Sequence, residues 1–202
     1  MHLIPTQEEV VAVLRETGAL RDGHFEYPGG MHSNELLQVP LAMRYSRHQR
    51  MMAVGLSRLL RNNPEIRAIA GDVSIITPMI GGLPVAYGVC EALRARQVYW
   101  TDRDGERLRF RQFLKPVAGE PVILVDDVLR TGARLRELKQ LLESYQAQVL
   151  GLAVVIYQPN PETASFGNLP FFYLAELDAR YYVNGEQCDL CRRGTPAEKV
   201  WM

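Results

Sequence analysis

One segment narrows the possible folds of this chain more than any other. Ile123-Leu124-Val125 continues the apolar run begun at Val122 and is followed at once by two carboxylates, Asp126 and Asp127. Val128-Leu129-Arg130-Thr131-Gly132 then leads into a stretch where Leu135, Leu138, Leu141 and Leu142 share one helical face. An apolar run without alternation reads as a strand buried on both faces, and leucines three and four apart read as an amphipathic helix. The expected order is therefore strand, acid pair, Thr-Gly turn, helix. A helix start offers free amides and the positive end of a dipole, which suits a phosphate. Gly132 lets the backbone approach that phosphate with no Cβ in the way. The carboxylates, just before the turn, can accept hydrogen bonds from sugar hydroxyls. The plainer reading, in which Asp126 and Asp127 merely cap the helix, leaves the Thr-Gly turn and the buried strand unexplained.

The rest of the chain has the same strand–helix rhythm. Thr6 and Glu9 have capping-box spacing at the head of a helix whose apolar face is Val10, Val11 and Leu14. Residues 22–33 hold Gly23, Pro28, Gly29 and Gly30 and read as turns or short strands. A helix is expected over 45–61, a strand over 73–76, a helix over 85–94, and strands over 98–101, 149–156 and 171–174, the last at a sheet edge. Strands separated by helices imply an α/β fold with a mainly parallel sheet flanked by helices, whose ligands sit beyond the carboxyl ends of the strands. Thr77-Pro78-Met79-Ile80-Gly81-Gly82 lies at such an end, one strand–helix unit before the acid pair, and its turn can expose amides to an anion.

Composition excludes some function classes. Lys and Arg together number 23, as do Asp and Glu, so no net charge draws the chain to nucleic acid or to a membrane surface. No apolar run approaches the roughly 20 residues of a membrane helix. Met1-His2-Leu3-Ile4-Pro5-Thr6 lacks the layout of a secretory signal. Cys90, Cys188 and Cys191 are too few, and odd in number, for a disulfide scaffold, which points to a reducing, cytoplasmic setting.

The segment from Val122 to Arg134 resembles the donor-binding signature of type I phosphoribosyltransferases. Over nearly the whole chain the likeness is to bacterial orotate phosphoribosyltransferases. It is carried further by Thr17-Gly18-Ala19-Leu20, Gly23-His24-Phe25, Gly30-Met31-His32-Ser33 with Gln38, and the tail Cys188-Asp189-Leu190-Cys191-Arg192-Arg193-Gly194-Thr195-Pro196. The resemblance implies one phosphoribosyltransferase domain over residues 1–202, with a small N-terminal hood formed by about residues 1–40, which the C-terminal tail is free to join. It implies a glycosyltransferase of pyrimidine nucleotide synthesis that moves ribose 5-phosphate from 5-phosphoribosyl 1-diphosphate (PRPP) to a nitrogen base, with Mg²⁺, as a homodimer. By the same resemblance, Asp126 and Asp127 contact the ribose hydroxyls. Thr131, Gly132, Ala133 and Arg134 surround the 5-phosphate, and Gly81 and Gly82 belong to the diphosphate loop.

Several positions depart from the family pattern. Pro28 stands where a basic residue is common, Gln158 stands nearest to a base-contacting basic residue, and Arg130 replaces a small threonine facing the base. Arg103 is the nearest match to the mobile-loop lysine, and would act by charge rather than by giving a proton. Arg103, Asp126 and Asp127 are thus the expected catalytic residues, and Arg130 and Gln158 the expected base-binding ones. The departures lead to an expectation of weak turnover with orotate. They leave two other readings open: the same chemistry on another heterocycle, or a PRPP- or nucleotide-sensing regulator with little turnover. Asp104-Gly105 marks a hairpin turn in the basic stretch 102–115, read either as a catalytic flap or as a solvated hairpin. Cys188 and Cys191 have metal-like spacing, but four ligands are needed and the remaining thiol, Cys90, falls in an expected helix. No metal-ligand set is therefore assigned, and His24 and His32 are read as structural.

Overall fold

The computed structural model describes residues 4–105 and 107–200. Met1–Leu3, part of the N-terminal reading above, and Glu106, in the expected hairpin, lie outside the described residues. The first helix, α1 (Gln7–Glu16), begins with the expected capping box: the Thr6 hydroxyl accepts from the Glu9 amide at 3.2 Å, and the Glu9 carboxylate accepts from the Thr6 amide at 2.8 Å. Next come β1 (Leu20–Glu26), β2 (His32–Leu37), α2 (Pro40–Met43), α3 (Ser46–Asn62), α4 (Pro64–Ala68) and β3 (Ser74–Thr77). A short 3-10 turn, Ile80–Gly82, leads into α5 (Leu83–Leu93), followed by β4 (Gln97–Asp104) and β5 (Arg107–Phe110). β6 (Pro121–Leu129), α6 (Ala133–Ser144), β7 (Gln148–Tyr157) and β8 (Phe171–Glu176) complete the main body. The tail adds β9 (Tyr181–Tyr182), α7 (Asp189–Arg192) and β10 (Glu198–Lys199).

The strands form two sheets. The larger has the order β5-β4-β3-β6-β7-β8, parallel throughout except for the β4–β5 hairpin. Its central strands are apolar on both faces because both faces are covered. Ile75, Ile123, Val125, Ala153 and Val155 pack with α1, α3 and α5, while Ile76, Val122, Leu124, Leu152 and Val154 pack with Leu135, Leu138 and Leu142 of α6. The period-two switch between the two sets is the strand pleat itself. At the amino ends of the strands, buried Glu120 accepts from Ser74 Oγ at 2.5 Å and Gln97 Nε2 at 3.0 Å, which pins the end of the sheet away from the expected site.

The smaller sheet has the order β10-β1-β2-β9 and joins the N-terminal hairpin to the tail. Its own apolar cluster is slight: Phe25, Tyr27, Leu36 and Val200, with Met31 against them.

One expectation needs correction. The acid pair does not follow the strand but lies within it, because β6 stays in register with β7 past Asp126, pairing Val128 with Ile156 and Leu129 with Tyr157. Hydrogen bonding to a neighbouring parallel strand carries β6 beyond the point where its apolar run stops.

Candidate functional site

The carboxyl ends of β3 and β6 bring the two motifs together. On adjacent strand positions Asp126 and Asp127 would be sent to opposite faces, and both end against the loop after β3. A Cβ on Gly82 would lie 2.6 Å from Asp126 Oδ1 and 2.0 Å from Thr77 Oγ1, and one on Gly81 would lie 3.4 Å from Asp127 Oδ2. Gly82 has an ordinary φ of −80°. Its lack of a side chain is thus explained by crowding rather than by backbone conformation. The loop is held from the other side, where Thr101 of β4 donates to the Pro78 carbonyl.

The carboxylates themselves have few partners. Asp126 Oδ1 accepts from the Asp127 amide at 3.0 Å, and Asp127 Oδ1 from the Val128 amide at 2.9 Å. Burial, and then the charge of Asp127, hold the Asp126 carboxyl well above the usual aspartate range. Burial also raises Asp127, opposed by local hydrogen bonds and by the Arg130 charge. Among the described residues neither acid forms an ion pair within 4.0 Å. A buried carboxyl pair lacking cations costs stability, and such sites cluster where a ligand supplies the missing partner. The Thr77 hydroxyl is likewise buried with no hydrogen-bond partner. From the sequence Thr77 opens the turn that ends at Gly82; the direct approach of its hydroxyl to Gly82 is visible only in three dimensions.

The turn after β6 opens onto the start of α6, where the first helical amides have no intrahelical acceptor. Gly132 takes φ +69°, a left-handed conformation that favours glycine, and caps α6 with no side-chain hydrogen bond. The first turn of α6 holds no acid, and its Ala133 amide has only a long 3.4 Å contact to Thr131 Oγ1. The segment is fixed from behind: Thr163 donates to the Arg130 carbonyl at 2.6 Å, and the Ala164 amide donates to that of Thr131 at 2.8 Å. Arg134 is exposed at the helix start, and its charge acts on Asp126.

Arg130 and Gln158 meet, as the sequence reading paired them. Arg130 Nε donates to Gln158 Oε1 at 2.8 Å, and another of its nitrogens donates to the Leu37 carbonyl at 3.0 Å. The guanidinium carbon lies 5.5 Å from the Tyr27 ring centre and 5.9 Å from that of Tyr181, within cation–π range. Tyr181 also donates to Gln158 Oε1 at 2.6 Å, and burial pushes its hydroxyl up to about 12. Gln158 is fully buried, and its Nε2 has no partner. Arg130 therefore presents its charge in no ion pair within 4.0 Å, beside an amide donor that is also unpaired, among the described residues. Tyr27 and Tyr181 escaped the sequence reading because they are far from Arg130 in the chain and carry no motif.

Arg103 stands in the β4–β5 hairpin, 3.8 Å from the Glu137 carboxylate of α6. With Met79, Ile80, Thr101, Asp102 and Arg111 it lines an open cleft of about 420 Å³ beside the Gly81-Gly82 loop. Elsewhere the structure assembles a set that sequence spacing did not: His24 and His32 lie with Cys188 and Cys191, their ligand atoms all within 4.8 Å of one another. Cys90, the remaining thiol, is not among them; the neighbours of the cysteine pair are imidazoles from the opposite end of the chain.

Comparison with known proteins bears on the same elements. A family model described as the phosphoribosyl transferase domain matches residues 60–166, from the end of α3 through β3, the acid pair and the segment behind the turn. An orotate phosphoribosyltransferase of Thermotoga maritima is 33% identical over 188 residues, spanning 93% of this chain and 94% of the relative. One from Heliobacterium modesticaldum is 29% identical over 194 residues, 96% of this chain and 97% of the relative. Among solved structures, the orotate phosphoribosyltransferase from Aeropyrum pernix superposes with a TM-score of 0.66 at 21% identity, covering 83% of this chain and 93% of that one. The UMP synthase of Leishmania donovani superposes at 0.68 and 18% identity, covering 86% of this chain and 37% of that one. The structural likenesses establish the fold, and the sequence likenesses, which cover 93% and 96% of this chain, establish the lineage. The chain belongs to the phosphoribosyltransferase family and, within it, to the orotate phosphoribosyltransferases.

Proposed function

We propose that this chain transfers ribose 5-phosphate from PRPP to orotate, with Asp126 and Asp127 holding the ribose hydroxyls and the turn Thr131–Arg134 holding the 5-phosphate. The observation that carries the choice of base is the unpaired charge of Arg130 beside the orphaned Gln158 Nε2, flanked by Tyr27 and Tyr181. A planar base bearing a carboxylate would find there a cation, an amide donor and two aromatic rings. This reading revises the expectation of weak orotate turnover, in which Arg130 was an obstacle. Its guanidinium is drawn aside by Gln158 and the Leu37 carbonyl, so that it supplies the charge that Pro28 and Gln158 do not.

In the reaction the bond to the departing diphosphate weakens ahead of attack by the base, so positive charge grows on the ribose. The acid pair orients the sugar and faces that charge, and the open amides of α6 anchor the far end of the donor. Arg103 is our choice for the cation facing the diphosphate, supported by its place in the cleft beside Gly81 and Gly82. Asp126 and Asp127 offer only hard oxygen donors, which would suit Mg²⁺ carried in by the diphosphate, whose charge that ion would neutralise. We extend the reading to one domain, with the small four-stranded sheet as its hood, and to a cytoplasmic homodimer. The exposed Ile80, in the cleft beside the hairpin, and Phe113, just past β5, support a neighbouring subunit there, and the free cysteines suit a reducing compartment. No helix among the described residues is long and apolar enough to cross a membrane.

Steady-state assays with orotate, PRPP and Mg²⁺ on the wild type and on Arg130→Thr test the base assignment. Wild-type kcat/KM should exceed about 10⁴ M⁻¹s⁻¹. The variant should lose roughly ten- to a hundred-fold, mainly in KM for orotate, as removal of a charged hydrogen bond implies. Equal or better turnover by Arg130→Thr would show that Arg130 obstructs the base site.

A further inference from the structure

Four side chains that the transfer chemistry leaves idle form a closed set between the inner strands of the small sheet and the tail. His24 comes from β1, His32 from β2, Cys188 from the N-cap of α7 and Cys191 from α7 itself. We propose that they bind one zinc ion, a structural site that ties the C-terminal tail to the N-terminal hairpin.

The distances fit a single tetrahedral ion. Cys188 Sγ lies 3.4 Å from His24 Nε2, while Cys191 Sγ lies 3.6 Å from His24 Nε2 and 3.5 Å from His32 Nδ1. Zinc bound at about 2.0–2.1 Å to nitrogen and about 2.3 Å to sulfur has nitrogen–sulfur edges of about 3.6 Å. The two nitrogens stand 2.8 Å apart and would part by about 0.5 Å to reach their own edge length. Orientation fits as well. His24 Nδ1 lies 2.7 Å from the Thr195 carbonyl and donates to it, which leaves the Nε2 lone pair facing the cluster. This is the outer hydrogen bond by which proteins aim a metal-binding imidazole. His24, His32 and Cys188 are all buried, and the two sulfurs are free rather than joined. Two thiolates, two neutral imidazoles and a divalent ion sum to zero charge, so the set can be buried without a further counterion. Thiolate with imidazole selects zinc over the hard Mg²⁺ of the donor site, and four protein ligands leave no open position for catalysis.

The fold also gives the ion a task. The small sheet has only the Phe25, Tyr27, Leu36 and Val200 cluster, and its outer strands β9 and β10 are two residues each. So small a core is the usual setting for a metal or disulfide staple. Tyr27 and Tyr181, which flank Arg130, lie on or beside strands of this same sheet, so the ion would steady the wall of the base pocket from behind.

The test uses the full chain, expressed without a histidine tag in zinc-supplemented medium and purified under reducing conditions without chelator. Elemental mass spectrometry should find one zinc per chain in the wild type and in Asp126→Asn, and under about a tenth of that in Cys191→Ser and His32→Ala. Because those variants can misfold, the wild type is also read directly. Extraction with a strong chelator should lower its thermal midpoint and Zn²⁺ alone should restore it, while Co²⁺ in its place should give the visible bands and thiolate charge-transfer absorption of a tetrahedral sulfur site. Absence of zinc in the wild type with no uptake of added Zn²⁺, full zinc retention by both cluster variants, or a Cys188–Cys191 disulfide in place of metal would each overturn the proposal.

Discussion

Replacing Gly82 by alanine isolates the contact on which the site depends. The backbone at this position has φ −80°, which alanine accepts, so any damage must come from the added Cβ alone. That atom would sit 2.0 Å from Thr77 Oγ1 and 2.6 Å from Asp126 Oδ1. Side chains can rotate away, but the Asp126 Cα, 3.3 Å off, belongs to the backbone of a central strand. Overpacking of this kind costs about 1–3 kcal/mol, and the lower unfolded-chain entropy of alanine returns about 0.4–1 kcal/mol. A net loss of about 1–2 kcal/mol in a chain of this size lowers Tm by roughly 2–8 °C. Donor binding should suffer more, because the displaced carboxylate is the one assigned to the ribose. Losing one charged hydrogen bond weakens affinity roughly ten- to a hundred-fold. Gly81→Ala is the control, since its Cβ would make an ordinary 3.4 Å contact with Asp127 Oδ2 and should change stability by less than about 0.5 kcal/mol. Thermal scans and calorimetric titration with PRPP and Mg²⁺ on both variants decide the matter. Wild-type Tm and affinity in Gly82→Ala, or equal stability losses in both variants, would refute the argument from crowding.

Asp126→Asn combined with Asp127→Asn should abolish PRPP binding while raising Tm near neutral pH; unchanged calorimetric affinity would remove the ribose assignment. The pH dependence has a definite sign. Both carboxyls are raised, chiefly by burial, so the folded chain holds protons that the unfolded chain has released. Their contribution to stability is fully present below the usual aspartate value of about 3.9 and is lost as pH rises through the raised range. The double asparagine variant should show a flatter Tm–pH curve across that window, and a curve parallel to wild type would contradict it. Gly132→Val should weaken PRPP binding and also cost stability, because a left-handed φ of +69° suits no β-branched residue and its Cβ would meet the Phe166 ring at 3.1 Å. A fold cost of about 1–2 kcal/mol is expected in thermal or denaturant unfolding, and normal affinity per folded molecule would reduce Gly132 to a structural turn.

Much of the donor half was legible because its signals are local. The capping box at Thr6, the apolar run Val122–Val125, the Thr-Gly turn and the leucine face of α6 each sit within one element, where period and cap chemistry apply directly. The Gly81-Gly82 turn was legible as a turn, but its reason, the crowding by Thr77 and Asp126, belongs to the meeting of β3 and β6. Strand β6 outruns its apolar stretch because register with β7 is set by the partner strand rather than by its own residues. The base half was less legible for a similar reason. Read as a residue type, Arg130 fills a slot meant for a small side chain, yet its position follows from Gln158, Tyr27, Tyr181 and Leu37, the last of them 93 residues away. The His and Cys set is more distant still: His24 and Cys188 are separated by 164 residues, and no periodicity connects a hairpin histidine to a thiol in the tail.

The central claim is phosphoribosyl transfer to orotate, and one assay meets it directly. The purified chain is incubated with PRPP and Mg²⁺ in the presence of orotate, uracil, adenine or hypoxanthine, with diphosphate release followed and the products identified by mass. Diphosphate formed in step with orotidine 5′-monophosphate, from orotate and not from the uncharged bases, is the expected result. Tight PRPP binding with no diphosphate from any base would contradict the account in favour of a sensing role, and preference for a base without a carboxylate would contradict the role given to Arg130.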